Sequence, residues 1–469
     1  MSESAMLVDE GVAGPSTSAP APKSHIVQVG DNAMLRLPTG DVKSVKLEKN
    51  AVVSLGKFGS FQSEKLVGRP YGLTYEITGK SLKPLPPRTM EDIEDTEATN
   101  ELINDGQFVQ PLTAEEIEAL KQSGVHATDI IKKQIEMHAN YSLKTEYSKE
   151  KYKKRKEAKY SKFFTPIEPT LFNVCEYWFN KDQNRIRDLR IDTLSQMMNL
   201  ANIRPGGRYL AVDDASGLVV SAILERLGGS GRLITVCDVD SPPAYPVMVQ
   251  MNFPEDFVHP VLSSLNWATA DEDYIPVVAS ADPPSGQFKS DKQKARLTKR
   301  KAVTESLSRT REELFSGEFE GLVISSEYDP YSIVEKLVPY LGGSASIVVQ
   351  SPHLSVLTEL QNKLRQDPSY LAPSVTESWL RQYQVLPGRT HPTMTTTGSG
   401  GFLLHAIKVY DNPGATPISA HRRKIRKVDD SSATATPAPQ DGSAQESVQE
   451  SAQVSAAASP AATSKVEET

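Results

Sequence analysis

Apolar and polar positions alternate through residues 204–240 in a way that organises the rest of the chain. A short apolar run at 208–212 ends in Asp213, residues 218–227 carry apolar side chains at helical spacing, and Gly228 and Gly229 stop that helix before a second apolar run at 233–236. Strand, tight loop, helix, glycine turn and parallel strand make half of a nucleotide-binding α/β unit. The pattern resumes with a strand at 319–324, a helix near 331–341, a Gly-Gly turn, a strand at 346–350 and an amphipathic helix at 357–365. Residues 379–410 read as two strands joined by a long loop, an antiparallel finish to the sheet. Upstream, residues 25–85 hold several short apolar segments punctuated by Gly and Pro, which predicts a small antiparallel barrel or sandwich.

Units of the first kind hold a cofactor over the carboxyl ends of their strands. Glycines let the backbone approach it, and an acidic residue after the second strand takes ribose hydroxyls. Here Asp213 and Asp214 close the first strand, and Asp238 and Asp240 follow the second. The loop reads D-D-A-S-G-L-V-V, with Gly217 alone, and Ala215 and Val219 stand at the outer glycine positions of a G-x-G-x-G pattern. The side chain of Val219 fills space that a cofactor needs, so the expectation is a nucleoside-binding fold without its binding loop.

Between the two patterns, residues 91–105 form an acidic linker. Thr113 precedes Glu116 by three residues, the order of a helix capping box. Residues 144–162, KTEYSKEKYKKRKEAKYSK, then carry nine Lys or Arg against three Glu, a net +6, with Tyr147, Tyr152 and Tyr160 interleaved. A solvated helix normally mixes signs more evenly, so this connector is read as a phosphate-binding segment. The candidate contacts are Lys149, Lys151, Lys153, Lys154, Arg155, Lys156 and Lys159. Arg185, Arg187 and Arg190 extend the basic track, and Arg389 and His391 in the R-T-H-P loop are further candidates for RNA contact. Pro, Ser, Asp and the basic run KSDKQKARLTKRK interrupt the α/β pattern at about 269–316, as a flexible insertion would; contact with nucleic acid, a nuclear targeting run and a solvated loop all suit it.

The 469 residues allow two or three domains, and a net charge of -7 shows that basic character is local. Cys175 and Cys237 fit neither a metal spacing nor a disulfide framework, which suits a reducing compartment. The sequence has no apolar run long enough to cross a bilayer, so no membrane contact is expected, and residues 1–23 lack the features of a secretion signal. Those residues and 428–469 have the composition of disordered segments, and residues 422–427 form a basic run of the kind that directs proteins to the nucleus.

Three stretches, KTEYSKEKYKKRKEAKY, LRIDTLSQMMNLANIRPGGRYLAVDDASGLVVSAILERLGG and WLRQYQVLPGRTHPTMTTTGSGGFLL, together resemble the non-catalytic subunit of the eukaryotic tRNA (adenine-58-N1)-methyltransferase. The likeness runs from about residue 25 to 410. It implies a catalytic partner that binds S-adenosylmethionine on a related fold, an assembly of two of each subunit, and no cofactor in this chain. In catalytic relatives a strand ends in an Asp followed by a Pro-containing loop that holds the target adenine; Ser325 falls at the Asp position and Glu327 at the Pro position. The resemblance therefore implies a degenerate Rossmann-like methyltransferase fold at 166–412. An N-terminal β domain at 24–88 and a helical connector within 89–165 precede it. The job implied is to bind tRNA while the partner forms 1-methyladenosine in the T-loop, with the final strand near Phe402 and Leu404 packing on that partner. An active methyltransferase in its own right and a translation-related RNA-binding factor are the alternatives.

Overall fold

The computed structural model describes residues 25–86, 390–394 and 398–410, and 112–385 apart from 124, 139–140, 142–143, 145, 240–242 and 276–290. Arg389, Asp240, the acidic linker and both end segments lie outside the described residues.

The N-terminal strands are β1 (Asn32–Arg36), β2 (Val42–Lys46), β3 (Val52–Ser54), β4 (Ser60–Gln62), β5 (Tyr75–Thr78) and β6 (Ser81–Pro84). Three helices follow: α1 (Ala114–Gln122), α2 (Ala127–Glu136) and α3 (Glu146–Tyr160). The predicted capping box starts α1, with Glu116 N–H donating to Thr113 Oγ1 at 3.2 Å and Thr113 N–H to Glu116 Oε2 at 3.0 Å. The chain then returns as β7 (Phe163–Ile167), which inserts between β1 and β5 to give a five-stranded antiparallel sheet of order β2-β1-β7-β5-β6. Phe164 of β7 is fully buried and stacks on Phe61 at 4.8 Å between ring centroids, in a core with Leu35, Leu47 and Tyr75. The N-terminal domain thus takes in residues beyond the connector, not the block at 24–88 expected from local pattern.

The second region comprises α4 (Leu171–Lys181), α5 (Ile191–Leu200), β8 (Arg208–Asp213), α6 (Leu218–Leu227), β9 (Arg232–Cys237), α7 (Glu255–Val258), β10 (Leu262–Asn266) and α8 (Asp291–Phe315). It continues with β11 (Phe319–Ser325), α9 (Pro330–Leu337), β12 (Leu341–Ser351), α10 (Leu354–Gln366), β13 (Tyr370–Glu377), the short pair β14 (Tyr383–Gln384) and β15 (His391–Pro392), and β16 (Phe402–Lys408). Seven strands line up as β10-β9-β8-β11-β12-β16-β13. The first five are parallel, and β16 runs antiparallel to both its neighbours. Side chains alternate across β8: Tyr209 and Ala211 join the core beneath α4, α5 and α6, and Leu210 and Val212 join the one beneath α9 and α10.

Three expectations change. The antiparallel finish begins with β13, ahead of residue 379, and among the described residues Tyr383–Gln384 and His391–Pro392 form the separate β14–β15 pair. An edge strand with Pro373 and a register irregularity between Leu371 and Ser374 has no clean alternation to read. β16 is an inner strand and Leu404 is fully buried, so Leu404 is core and not a partner-facing position. The insertion is not loop throughout: α8 occupies Asp291–Phe315, with Leu314 fully buried and Arg311 donating to the carbonyl oxygens of Thr269, Asp271 and Tyr274.

The N-terminal sheet is docked on this domain. Asn32 N–H donates to Asn252 Oδ1 at 2.8 Å, Asn252 Nδ2 donates back to Asn32 O at 3.1 Å, and the buried Met34 joins the core of the larger domain. No described helix is long and apolar enough to cross a membrane.

Candidate nucleic-acid interface and a filled crevice

Parallel strands β8 and β11 are neighbours whose connections leave in opposite directions, and the crevice at their carboxyl ends is where such sheets bind ligands. Asp213, at the end of β8, is buried and orders the loop that follows. Its Oδ1 accepts from Ala215 N–H at 2.7 Å and Gly217 N–H at 3.4 Å, and its Oδ2 from Val220 N–H at 2.8 Å. Burial raises its pKa to about 6 despite those three amides. Gly217 has φ of 87° as the residue before α6, and a Cβ there would lie 2.5 Å from Tyr245 Cβ. The side chain of Tyr245 therefore covers the one glycine of the loop, while Ala215 and Val219 are fully buried. Backbone that would have to meet a cofactor meets a tyrosine instead.

The rest of the crevice is closed by its own polar groups. Asp214 accepts from Ser326 Oγ at 2.6 Å and Glu327 N–H at 2.9 Å. Ser325, fully buried, donates to Gln350 Oε1 at 2.7 Å, and Gln350 Nε2 donates to the Arg187 carbonyl at 3.1 Å. The Arg187 side chain, 13% exposed, sits against this group with Nη1 3.8 Å from Glu327 Oε1. Desolvation lowers its pKa, opposed chiefly by the negative charges of Asp214 and Glu327. An arginine so far above neutrality stays charged, so a fixed cation occupies the crevice. These residues do not fit S-adenosylmethionine: the loop is covered, and the part-buried Arg187 side chain occupies the crevice beside Asp214 and Glu327. Among the described residues no cluster of ligating side chains could hold a metal ion.

Replacing Asp213 with Ala is expected to cost about 3 kcal/mol or more, since three N–H groups of a buried loop lose their acceptor. The folded pKa lies above the unfolded value, so protonation favours the folded state. The stability advantage of the wild type over D213A should therefore widen as pH falls from about 6 towards 4. Thermal unfolding of both proteins across that range checks the amount and the sign.

The basic candidates divide. On α3, Lys151, Lys153, Arg155 and Lys159 are exposed and Lys149 is partly exposed. Lys156 is partly buried with Nζ 5.0 Å over the Tyr152 ring, and burial lowers its pKa, so it packs the connector more than it faces outward. The Lys154 side chain lies outside the described residues. Buried Tyr160 ties α3 to α1 and α2 through Leu112, Ile117, Ile130 and Ile131. Arg185 stacks over Trp178 at 5.1 Å and keeps a half-exposed side chain. His391 is exposed on β15. Arg187 is a correction: burial against Asp214 and Glu327 removes it from any phosphate-facing surface. Arg190 is fully withdrawn, buried and bonded to Asp192 and to the Ser378 carbonyl. Sequence reasoning missed Tyr245 and the crevice role of Arg187, because both arrive from loops distant in the chain and neither carries a motif.

Strand order and crevice together define a Rossmann-like methyltransferase fold that has kept its sheet and filled its cofactor loop. The Gcd10p family profile matches residues 26–307, and the chain belongs to the Gcd10p family. Curated relatives named "tRNA (adenine(58)-N(1))-methyltransferase non-catalytic subunit TRM6" agree. That of Candida glabrata is 32% identical, covering 84% of this chain and 95% of that protein. That of Eremothecium gossypii is 31% identical, covering 89% and 98%. That of Debaryomyces hansenii is 29% identical, covering 86% and 91%. The solved structure of the tRNA (m1A58) methyltransferase TrmI from Aquifex aeolicus is similar at 12% identity and a TM-score of 0.42, over 82% of this chain and 100% of that one.

Proposed function

We propose that this chain is the non-catalytic, tRNA-binding subunit of a tRNA (adenine-58-N1)-methyltransferase, working with a catalytic partner as two of each subunit in the nucleus. The observation that carries this is the crevice: Tyr245 over Gly217, a buried Ser325 and the side chain of Arg187, only 13% exposed, leave no place for methyl-transfer chemistry, in a chain of the Gcd10p family. What remains is a surface role. The exposed cations of α3 offer charge to phosphates, and shape and charge are what folded RNA presents to a protein. A target base in folded tRNA must be exposed before a pocket can take it, which gives a holding subunit its use. The partner surface follows from exposure. Trp379, Tyr383, Val385 and Met394, between β13 and β16, are 81%, 56%, 69% and 92% exposed, and exposed aromatic and apolar side chains of this size are suited to packing against a partner.

Methyl transfer to tRNA by this chain, by its partner and by the two together tests the proposal; activity of this chain alone would overturn it. Truncation after Lys427 should leave methylation in vitro intact, and removal of residues 422–427 as well should move the protein towards the cytoplasm, as fluorescence microscopy of tagged chains would show.

A further inference from the structure

One helix is longer than the surface it packs on. α8 spans Asp291–Phe315, roughly 37 Å at about 1.5 Å per residue, and only its carboxyl-terminal part is fixed. There Thr310, Arg311 and Leu314 are buried, and Leu307 and Phe315 pack on the core of the larger domain. Arg311 donates to the carbonyl oxygens of Asp271 at 2.8 Å and Tyr274 at 3.0 Å, and Glu313 pairs with Arg232 at 2.8 Å. From 291 to 309 no described side chain is buried. That part of the helix gains little from packing, the source of most helical stability in proteins.

Charge divides along the helix as burial does. Residues 292–301, KQKARLTKRK, hold six cations and no acid, whereas the anchored part mixes Glu305, Glu312 and Glu313 with Arg309 and Arg311. Mixed signs are what a solvated helix normally carries. Lys292, Arg296 and Arg300 follow one another at four-residue steps, so like charges stand about 5–6 Å apart along one side and destabilise the helix. We infer that residues 292–301 form an arm for the phosphates of RNA, a second grip separate from α3; this assignment rests on the tRNA-binding role proposed above. A polyanion cancels the repulsion, and release of its condensed counterions drives the contact. A protein partner suits the arm poorly. Protein interfaces are enriched in aromatic side chains and depleted in Lys, and this stretch has four Lys and no aromatic residue. Because Arg311 and Glu313 hold the other end, the arm meets RNA as a helix already formed, which reduces the cost of ordering it.

Filter binding of tRNA to the complex with the catalytic partner, at several salt concentrations, tests the arm. Alanine at Lys292, Arg296, Lys299 and Arg300 together should lower affinity about a hundredfold at physiological salt and reduce the slope of log affinity against log salt by about 3. Thermal unfolding should be unchanged, because all four side chains are exposed and the anchored part of α8 is untouched. Lysine at Arg296 and Arg300 keeps the charge and should keep the slope. Combining the four alanines with alanine at Lys151, Lys153, Arg155 and Lys159 of α3 should lower the slope further than either set alone, the mark of separate contacts. If the wild-type complex binds tRNA and the α8 variant retains its slope, the inference is overturned while the tRNA-binding role stands. The same unchanged slope, with nuclear fluorescence lost from the tagged variant, would assign the run to targeting instead. A wild-type complex that holds tRNA no better than the catalytic subunit alone would overturn the tRNA-binding role, and this inference with it.

Discussion

Alanine at Lys151, Lys153, Arg155 and Lys159 together lowers tRNA affinity about a hundredfold or more at physiological salt and flattens its salt dependence. All four side chains are exposed on α3, and Lys156, which stacks on Tyr152, is left in place to hold the connector. Each phosphate contact displaces condensed counterions and contributes about 0.7 to 0.9 to the slope of log affinity against log salt. Loss of four contacts therefore reduces the slope by about 3. Alanine is a strong helix former, so α3 persists, and assembly with the partner is unaffected. Filter binding at several salt concentrations supplies both numbers. An unchanged slope would remove α3 from the RNA interface and leave the exposed basic residues of α8, among them Lys294, Arg296, Lys299 and Arg300, as the next phosphate-binding candidates.

The second large effect belongs to the apolar surface beyond β13. Trp379→Asp combined with Tyr383→Asp should dissociate the subunits, because exposed aromatics of this kind dominate interface energies at about 2 kcal/mol or more each. Both side chains are largely exposed in this chain, so the doubly substituted protein should fold with an unchanged melting temperature. Leu404→Asp provides the contrast: that side chain is fully buried between α-helical and sheet layers, and a carboxylate there should unfold the domain. Native mass spectrometry of the mixed subunits and a melting curve for each variant separate the two outcomes. Retention of the full complex by the double variant would move the partner surface elsewhere.

The sheet of the larger domain was legible because β8, β9 and β11, covered on both faces, read as short continuous apolar runs bounded by glycines and acids, and loss of the cofactor loop was legible because Ala215 and Val219 stand at the outer glycine positions of the G-x-G-x-G pattern. What replaced the cofactor was not legible. Tyr245 and Arg187 act through approach in space, and a single tyrosine or arginine in a loop has no period to betray it. β13 was missed for the opposite reason, since an edge strand exposed along most of its length carries little alternation. The basic run was read correctly as charge, yet its members differ: Lys156 turns to Tyr152 while Lys153 and Arg155 stay exposed, a distinction set by the helix packing on α1 and α2.

The place of β7 in the N-terminal sheet has a consequence for synthesis. β1 and β5 do not pair with one another; each pairs with β7, which lies about 80 residues beyond β6 in the chain. The first strands to leave the ribosome therefore hold an open sheet with a missing middle for several seconds, at about 5–20 residues per second, until residues 163–167 emerge. Folding of the amino-terminal part waits on the carboxyl-terminal end of the connector, so a nascent chain arrested before Phe163 should bind holding chaperones, and one arrested well beyond Ile167 should release them.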